Sequence, residues 1–384
     1  MRICSVLTTF TAGGAETLVE NLSTTFAARG HEATVLSLSD AAQVGNPVEV
    51  EQQMRARLEA SGVGTRSMAL ANRRKFVTGA VTLRKALQAI RPDVIHCHTA
   101  GAVPMLGLAG ARVPVVLTHH NSRLSFPPQA YWIFDRIVSR YVAISQQCEA
   151  QTRRHARRPV RTILNAANSR FQAARPRTAP AQDPVILAVG TPSEQKDYAT
   201  LVQAAVLLRN LMKAEGRQPL VRIVGGGALV EDLREMVRQA AVSDIVDVTG
   251  ARSDVDTLMR EADVFVNSSL WEGFPIAMIE ASMSALPIIA TEVAGNREMV
   301  TPGINGILVP RGNPEALASA IANVLSDPAL YSSLSKGSLA SAERFSIDRC
   351  ADEHLALYGE IAGARRSDRG HSLHEHSALR RDAA

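Results

Sequence analysis

Two carboxylates lie eight residues apart in a segment whose other side chains are mostly apolar. The segment "EGFPIAMIE" runs from Glu272 to Glu280, and a Gly-Phe-Pro break follows the first acid. Pro275 suits the first position of a helix, where its missing N–H removes no hydrogen bond. The free N–H groups at such a helix start form a site for an anion, and here they would belong to Phe274, Ile276 and Ala277.

Each of the two acids could bind hydroxyl groups. Glu280 lies about a turn and a half inside the predicted helix, and its carboxylate can accept two hydrogen bonds, as a ribose diol offers. Glu272 lies in the loop before the helix and could accept hydrogen bonds from the hydroxyls of a sugar. The alternative, two solvated surface acids, agrees less well with the apolar surroundings.

Short apolar strands alternate with helical segments along most of the chain. The first strand, "RICSVLT", is followed by the Gly13-Gly14 turn and by a helix from about Glu16 to Arg29. Further strands are predicted at 31–39, 92–98, 114–120, 141–145, 185–190, 220–227, 245–250, 263–269, 286–291 and 306–310. Helices in the second half are predicted at 197–214, 229–241, 254–261, 275–284 and 314–325. This order predicts an α/β fold with two Rossmann-like, doubly wound domains facing a cleft at the carboxyl ends of their strands.

The composition of the chain suggests where these domains begin and end. We predict an N-terminal domain over 1–171 and a linker over 172–184, where "QAARPRTAPAQDP" is rich in Pro, Ala and polar residues. The C-terminal domain covers 185–345. A last helix, about 346–361, is expected to cross back to the N-terminal domain, and 362–384 is expected to be a disordered tail.

Composition also excludes several classes of protein. Of the 384 residues, 46% are hydrophobic and 21% charged, as in soluble globular proteins, and only 4% are aromatic, which argues against stacking platforms for nucleic-acid bases. No apolar run of 18 residues and no signal-peptide pattern is present, so we expect a cytoplasmic protein. The scattered cysteines agree, because they read as reduced thiols: Cys4, Cys97, Cys148 and Cys350.

The charge of the chain is distributed unevenly. Residues 1–180 hold 23 Lys and Arg against 10 Asp and Glu, a net charge of +13, whereas residues 181–384 hold 19 against 27, a net charge of −8. The basic half contains the clusters "RRK" (73–75) and "RRHARRPVR" (153–161). Such clusters suit a phosphorylated substrate or an anionic membrane surface, and a solvated face is the alternative.

Other motifs in the chain suggest rival sites, each with a simpler explanation. "DVD" (254–256) resembles a metal-binding Asp-x-Asp, but acids in a first helical turn are explained by the helix dipole. "GGG" (225–227) lacks the third glycine of a dinucleotide-binding turn, and the chain has no P-loop motif. Four histidines on two strand ends could imitate a metal cluster, yet neutral histidines near a cleft are commoner: His96, His98, His119 and His120. We therefore expect no metal site.

The segment from Glu272 to Glu280 closely resembles the E-x7-E signature of the family-4 retaining glycosyltransferases of the GT-B fold. Other matches occur in order over roughly residues 1 to 361: "GGAE" (13–16), "DVIHCH" (93–98), "LTHHN" (117–121), "AIS" (143–145), "VG" and "QKDY" between 189 and 198, "VGGGALVEDL" (224–233) and "EVAGNREMV" (292–300). The resemblance implies transfer of a sugar from a nucleotide diphosphate to an acceptor, with retention at the anomeric carbon.

The resemblance also implies roles for individual residues. Glu272 would orient the sugar and support positive charge at its anomeric carbon, Lys196 would neutralise the leaving diphosphate in place of a metal, and His120 rather than His119 aligns with the family's cleft histidine. These three are the expected catalytic residues. The expected donor-binding residues are Gly13, Gly14, Thr191, Lys196, Gly273, Phe274, Pro275, Ile276 and Glu280.

The chain departs from the family pattern at two places. Where many relatives have Val-Gly-Arg-Leu this chain has "VGTP", so Thr191 replaces a diphosphate-binding arginine and a bidentate contact is lost. Where relatives often have Asn-Gly-Val-Asp, "ILNAANSRF" (163–171) carries Ala166 and Asn168, which we interpret as structural divergence.

The function expected from the sequence is that of a retaining, metal-independent glycosyltransferase without a cofactor. Its donor would be a UDP- or GDP-linked sugar and its acceptor a glycan or a lipid-diphosphate-linked glycan, in surface polysaccharide biosynthesis. The enzyme would be cytoplasmic, with a peripheral position on the inner face of the membrane as a further option, and would not bind nucleic acid. A nucleotide-sugar epimerase of the same fold and a non-catalytic nucleotide-sugar or glycan-binding protein are the alternatives, and the reaction product would separate them.

Overall fold

The N-terminal half of the chain forms a parallel sheet flanked by helices. The structure is a computed structural model that describes residues 1–11, 13–44, 47–73 and 75–378, the side chains of 364–378 excepted. Within these residues the sheet has seven strands: β1 Arg2–Leu7, β2 Glu32–Ser37, β3 Gly64–Ser67, β4 Val94–Cys97, β5 Val115–His119, β6 Arg140–Ala143 and β7 Val160–Thr162. The helices around it are α1 Gly14–Ala28, α2 Val48–Ala60, α3 Phe76–Ile90, α4 Ala102–Ala109, α5 Tyr131–Phe134 and α6 Gln146–Arg153.

The C-terminal half repeats this plan with a sheet of six described strands. They are β8 Val185–Val189, β9 Leu220–Val224, β10 Val246–Gly250, β11 Val264–Asn267, β12 Ile288–Thr291 and β13 Gly306–Val309. The helices are α7 Tyr198–Ala214, α8 Val230–Gln239, α9 Val255–Glu261, α10 Ile276–Met283, α11 Ala294–Arg297, α12 Pro314–Ser326, α13 Pro328–Ala342 and α14 Ile347–Ala378.

The strand order of both sheets explains where a site can form. The orders are β3-β2-β1-β4-β5-β6-β7 and β10-β9-β8-β11-β12-β13, and every pairing is parallel. In each sheet the order reverses once, between β1 and β4 and between β8 and β11. The connections on the two sides of such a switch point leave a crevice at the carboxyl ends of the strands, and ligands of doubly wound sheets bind there.

The central strands are continuous apolar runs because helices cover both faces of each sheet. Ile3, Val6 and Leu7 of β1 and Val264, Phe265 and Val266 of β11 are all at most 1% exposed. This burial of both faces is typical of parallel strands and differs from the alternating pattern of a half-exposed sheet. The predicted alternation of apolar strands with helices is therefore confirmed.

Several elements differ from those that the sequence predicts. The edge strands β3 and β7 and the helix α13 were not predicted, because "GTRS" and "VRT" lack an apolar run and α13 is rich in serine. The final helix α14 begins at Ile347 and continues to Ala378, past the predicted end at 361 and into the predicted tail. Residues 379–384 of that tail lie outside the described residues.

The final helix α14 packs against the N-terminal domain although the chain enters it from the C-terminal domain. Arg29, which directly follows α1, forms ion pairs with Asp348 and Asp352, and the ring of Phe26 meets the ring of Tyr358 edge-on at 6.0 Å. The chain therefore crosses between the halves twice. The two crossings lie side by side, because the Ala167 N–H donates to the Phe345 carbonyl at 3.3 Å.

The segment predicted as a linker is fastened to the C-terminal domain by one arginine. The guanidinium of Arg177 donates to the backbone carbonyls of Met259 and Ala262, the first at 2.8 Å, and to that of Ser284 at 3.4 Å. The backbone N–H of Arg177 donates to Ser335 Oγ at 2.8 Å. One side chain thus satisfies the carbonyls at the ends of two helices, α9 and α10.

Replacing Arg177 by methionine should lower the free energy of unfolding by about 2 kcal/mol, because several partly buried carbonyls lose their donor. Urea unfolding followed by circular dichroism would measure this. Arg175→Met is the matched control: Arg175 is exposed and has no hydrogen bond or ion pair among the described residues, so a change within about 0.5 kcal/mol is expected. Equal changes in the two variants would contradict the anchoring role.

Candidate functional site

Several of the residues that the sequence predicts to form the site come together where the two switch points face each other. Gly13 and Gly14 follow β1, Lys196 follows β8 and Glu272 follows β11. The two domains touch here, since a Cβ added to Gly273 would lie 3.0 Å from the His120 carbonyl oxygen. The site is therefore built from loops of both halves.

The carboxylate of Glu272 is the most densely hydrogen-bonded group of the site. The residue is 5% exposed. Its Oε1 accepts from Lys196 Nζ at 2.6 Å, from Ser269 Oγ at 2.7 Å and from Asn267 Nδ2 at 3.4 Å. Its Oε2 accepts from Gln195 Nε2 at 3.1 Å. These donors come from the loop after β8, the last residue of β11 and the loop after β11, so the bonds hold the two loops in one arrangement.

The ion pair between Lys196 and Glu272 also leaves donors available for a ligand. The side chain of Lys196 is 18% exposed and that of Glu272 5% exposed, so the pair is largely removed from water. Removing one partner of such a pair costs about 3–5 kcal/mol, because the other charge is then buried without compensation. An ammonium has three N–H donors, and Glu272 takes one of them. Lys196 can therefore bind a second anion while it holds Glu272.

The helix α10 begins one residue later than the sequence predicts. Pro275 has an extended backbone (φ −72°, ψ 118°) and is the N-cap rather than the first helical residue, which corrects that expectation. The first helical bonds run from the N–H groups of Met278 and Ile279 to the Pro275 carbonyl. Among the described residues no acceptor is found for the N–H groups before them: Phe274, Ile276 and Ala277.

The N-termini of two helices meet at this point. Helix α1 begins at Gly14, and a Cβ added there would lie 3.8 Å from Cδ1 of Ile276, the first residue of α10. Each helix start carries partial positive charge from its unsatisfied N–H groups. Two such ends, together with the Lys196 ammonium, make this part of the cleft suited to an anion.

The Gly13-Gly14 turn also accommodates an acid. A Cβ on Gly13 would lie 2.3 Å from Oε2 of Glu16, so the absence of a side chain lets the carboxylate fold back on the turn. Burial raises the pKa of Glu16 to about 7. At neutral pH a large share of Glu16 is therefore protonated, which reduces the repulsion of an anion bound at this turn.

Glu280 lies inside α10 and is an acid without a partner. It is 6% exposed, and within the described residues its carboxylate forms no hydrogen bond and no ion pair. Burial raises its pKa to about 8, while the positive charge of Arg170 acts in the opposite direction. Acids in mostly buried positions whose pKa is raised in this way concentrate at functional sites.

Thr191 lies exposed on the loop after β8, next to the "GGG" segment. A Cβ on Gly225 would lie 2.0 Å from the Gly190 carbonyl oxygen, and one on Gly227 would lie 3.0 Å from Thr191 Cγ2. The glycines thus allow the loops after β8 and β9 to pack closely. No cation stands at position 191 to replace the arginine of the relatives.

The two neighbouring histidines at the end of β5 have different surroundings. Nε2 of His119 bonds to the Arg123 carbonyl at 2.9 Å, and its ring meets Phe126. The ring of His120 lies against His98, with its Nε2 2.9 Å from His98 Nδ1. Burial lowers the pKa of His120 to about 3, so its ring is neutral at physiological pH.

The rival metal sites do not assemble among the described residues. Asp254 and Asp256 of "DVD" are paired with Arg252 at 2.5 Å and with Arg260 at 2.9 Å. No group of three or more His, Cys, Asp or Glu side chains in the described part of the chain could hold a metal ion.

Sequence reasoning missed several residues that support the site. Three of them donate hydrogen bonds to Glu272: Gln195, Asn267 and Ser269. Their positions could have indicated this role, because each lies in a recognised motif or at the end of a predicted strand. Asn165 donates from Nδ2 to the Phe274 carbonyl at 2.8 Å. The segment 163–171 therefore positions the loop before α10, whereas the sequence suggested only structural divergence there.

A cavity of about 510 Å³ opens beside Glu272, between the domains. Arg123 of the N-terminal domain and Trp271 of the C-terminal domain form one wall, with the guanidinium 3.6 Å from the centre of the indole ring. Glu292 and Arg311 also line it. The cavity offers charged and aromatic surface to a second ligand next to the Glu272 loop.

A second cavity, here called the arginine cavity, lies in the N-terminal domain between α5 and the end of α6. Its volume is about 760 Å³, and four arginines line it together with Asp135, Tyr131 and Trp132. Asp135 accepts from the backbone N–H of Arg157 at 3.0 Å and from the Tyr141 hydroxyl at 3.0 Å. None of the four forms an ion pair in the part of the chain that the structure describes: Arg136, Arg154, Arg157 and Arg158.

Apolar side chains are exposed at the same place. Trp132 is 62% exposed and Ile133 is 44% exposed, and the guanidinium of Arg136 lies 3.5 Å from the centre of the indole ring.

Among the described residues no helix is long and apolar enough to span a membrane.

Family profiles and related sequences match most of the chain. The profile described as glycosyl transferases group 1 matches residues 170–339, and the profile described as glycosyltransferase family 4 matches residues 12–170. A D-inositol 3-phosphate glycosyltransferase of Jonesia denitrificans is 27% identical over 388 residues, which cover 90% of this chain and 91% of that protein.

Two further comparisons cover a shorter segment and the fold. A UDP-Gal:alpha-D-GlcNAc-diphosphoundecaprenol alpha-1,3-galactosyltransferase of Escherichia coli is 32% identical over 109 residues, 28% of each chain. The crystal structure of Anabaena HepE in complex with UDP and glucose superposes with a TM-score of 0.78 at 20% identity, covering 94% of this chain and all of that one. The two profiles, the order of the motifs and the shared architecture agree, and the chain belongs to the family-4 glycosyltransferases of the GT-B fold.

Proposed function

We propose that this protein transfers a sugar from a UDP- or GDP-linked donor to a glycan or lipid-diphosphate-linked acceptor, with retention at the anomeric carbon. The observation that carries the proposal is the Lys196–Glu272 pair beside the two helix N-termini. It puts a carboxylate for a sugar next to three sources of positive charge for a diphosphate. A nucleotide sugar presents these two chemical groups side by side.

The donor would occupy the C-terminal side of the cleft. Glu280, buried and without a partner, would accept hydrogen bonds from the ribose hydroxyls. The diphosphate would lie between the start of α10 and the Gly13-Gly14 turn, where Phe274 and Ile276 have free N–H groups. Gly273 keeps the loop close to the His120 carbonyl, which leaves the sugar beside Glu272.

Protein groups supply the positive charge that a metal ion supplies in other enzymes of this kind. As the bond between the anomeric carbon and the diphosphate breaks, negative charge grows on the leaving oxygen and positive charge grows on the sugar. Lys196 and the helix N-termini stabilise the first, and the Glu272 carboxylate stabilises the second. The reaction then needs no metal and no cofactor. Without an arginine at Thr191, more of this stabilisation depends on Lys196.

A panel of UDP- and GDP-sugars, assayed for nucleoside diphosphate release with glycan and lipid-linked acceptors, tests the proposed reaction. Transfer to an acceptor supports it. Formation of an epimer of the donor sugar, or binding of the donor without any product, would overturn it in favour of the corresponding alternative.

The N-terminal domain would receive the acceptor. A lipid-diphosphate acceptor fits its net charge of +13 over residues 1–180. The arginine cavity supplies guanidinium groups that have no ion pair among the described residues, beside the exposed Trp132, and together they suit the headgroup layer of an anionic membrane. The enzyme would accordingly bind the inner face of the membrane peripherally.

The first prediction concerns Glu272. Glu272→Gln keeps the size of the side chain but removes the charge beside the anomeric carbon, so kcat should fall at least tenfold, about 1.4 kcal/mol, with little change in nucleotide affinity. Steady-state kinetics measure kcat, and calorimetry with UDP or GDP measures the nucleotide affinity. Glu194→Gln, the same change at an exposed residue of the Lys196 loop, should keep kcat within about twofold. Unchanged turnover of Glu272→Gln would remove the assigned role.

A second prediction follows from the raised pKa of Glu280. Ribose hydroxyls donate hydrogen bonds and so favour the ionised carboxylate, whereas burial raises the pKa in the free protein to about 8. Nucleotide affinity should therefore increase as the pH rises from 7 toward 8 and level off above it. Calorimetric titrations with UDP and with GDP between pH 7 and 9 measure this. In Glu280→Gln the affinity should be lower and its increase with pH lost, which leaves only the opposite effect of Glu16, whose ionisation near pH 7 repels the diphosphate. A persisting increase would exclude Glu280 as its source.

A third prediction concerns the membrane. Arg154→Gln combined with Arg157→Gln should weaken binding to vesicles of anionic lipid about 30-fold, because each basic residue near the surface contributes about 1 kcal/mol. Vesicle sedimentation at low salt measures the binding, which high salt should abolish.

The control for this measurement removes the same charge from the same cluster. Arg153 is paired with Glu149 at 2.6 Å and Arg161 with Glu360 at 2.7 Å. Arg153→Gln combined with Arg161→Gln should therefore weaken binding much less. Equal losses in the two double variants would mean that only total charge matters, and no binding of the native protein to anionic vesicles would favour a soluble acceptor.

A further inference from the structure

A hydrogen bond joins two imidazole rings at the carboxyl ends of β4 and β5. Nδ1 of His98 lies 2.9 Å from Nε2 of His120, and the two rings meet edge to edge, with centroids 5.1 Å apart and planes 22° from parallel. His120 directly follows β5, and its carbonyl oxygen packs against Gly273 beside the Glu272 loop. The pair therefore lies within the proposed donor site.

Only one hydrogen can occupy the bond between the two neutral rings. Either His98 Nδ1–H donates to His120 Nε2, or His120 Nε2–H donates to His98 Nδ1. In the second arrangement both rings have the Nε2–H form, which is the more stable tautomer of an isolated neutral histidine. Burial lowers the pKa of both histidines, which keeps them neutral. The second arrangement is therefore favoured.

The choice of tautomer determines what His120 offers to a ligand. Its other nitrogen, Nδ1, is buried and has no hydrogen-bond partner among the described residues. If Nε2 carries the hydrogen, this Nδ1 is an acceptor. A sugar hydroxyl can donate a hydrogen bond to such an acceptor. The sugar is the part of the nucleotide-sugar substrate that is proposed to lie beside Gly273.

We propose that His98 is a positioning residue that holds His120, which the family resemblance already implies to lie in the cleft, in its Nε2–H tautomer, so that Nδ1 of His120 is available as an acceptor for a sugar hydroxyl. This inference rests on the proposed function for the identity of the ligand. The part that concerns the tautomer stands on the two rings alone.

The surroundings of His98 keep its ring in place. His96, two residues earlier on β4, lies with its ring centre 4.0 Å from that of His98. His96 is itself fixed at both nitrogens, by the Tyr358 hydroxyl at 2.6 Å and by Thr118 Oγ1 at 2.7 Å. Helix α14, through Tyr358, thus contributes to the support of a cleft residue.

Three variants of His98 separate the hydrogen bond from the bulk of the ring. His98→Phe keeps an aromatic ring at this position and removes the acceptor. His98→Asn places an amide oxygen near the position of Nδ1, whereas the longer side chain of His98→Gln places it near Nε2, which does not face His120. We expect kcat to fall at least tenfold in the Phe and Gln variants with the KM for the nucleotide sugar raised, and both values to recover to within about threefold in the Asn variant.

The tautomer can be read without an activity assay. In protein with 15N-labelled histidine rings, long-range 1H–15N correlations distinguish the Nε2–H from the Nδ1–H form of each residue. His120, assigned by its loss in His120→Asn, should be in the Nε2–H form in the native protein and in His98→Asn. In His98→Phe it should change to a mixture or to the Nδ1–H form.

The outcomes discriminate between the parts of the inference. A native Nδ1–H form of His120, or an unchanged tautomer in His98→Phe, would overturn the assignment. An equal loss of turnover in His119→Phe would show general damage to this edge of the sheet and would also overturn it. If no nucleotide sugar is turned over by the native protein, the proposed function fails, and the NMR spectra still decide the role of His98.

Discussion

The contact between the Lys196 ammonium and the Glu272 carboxylate is the constraint on which the cleft depends. It joins the loops after β8 and β11, the two strands on either side of the C-terminal switch point. Two charges removed from water are stable only when each has close partners, and Glu272 has four. Burial of the two charges is costly, and the four hydrogen bonds fix the orientation of the Glu272 carboxylate.

The electrostatic character of the cleft depends on how far the negative charges of its glutamates are reduced. Three glutamates lie close to the place proposed for a diphosphate, and the negative charge of each is reduced there. Glu272 is neutralised by its lysine, and burial raises the pKa of Glu16 and Glu280 toward or above neutrality. The positive ends of α1 and α10 are therefore not cancelled, and an anion meets attraction from both domains.

Much of this arrangement could be predicted from the sequence, because it depends on local signals. The apolar runs predicted all the central strands, and the proline and glycines predicted the loop before α10 to within one residue. The network around Glu272 could not be predicted, since Gln195, Asn267 and Ser269 meet only when two loops pack together. The bond between His98 and His120 has the same origin: both residues follow strands, but nothing in their spacing sets the orientation of the rings.

The two chain crossings between the domains have a consequence for motion. A single connection would allow one body to swing and twist about a point, whereas two connections side by side restrict the movement to rotation about the line that joins them. The bond from Ala167 to Phe345 keeps these two connections together, so they act as a hinge with one axis. Any opening of the two halves is then confined to this axis, so that the starts of α1 and α10, where Gly14 faces Ile276, can separate and meet along one path only.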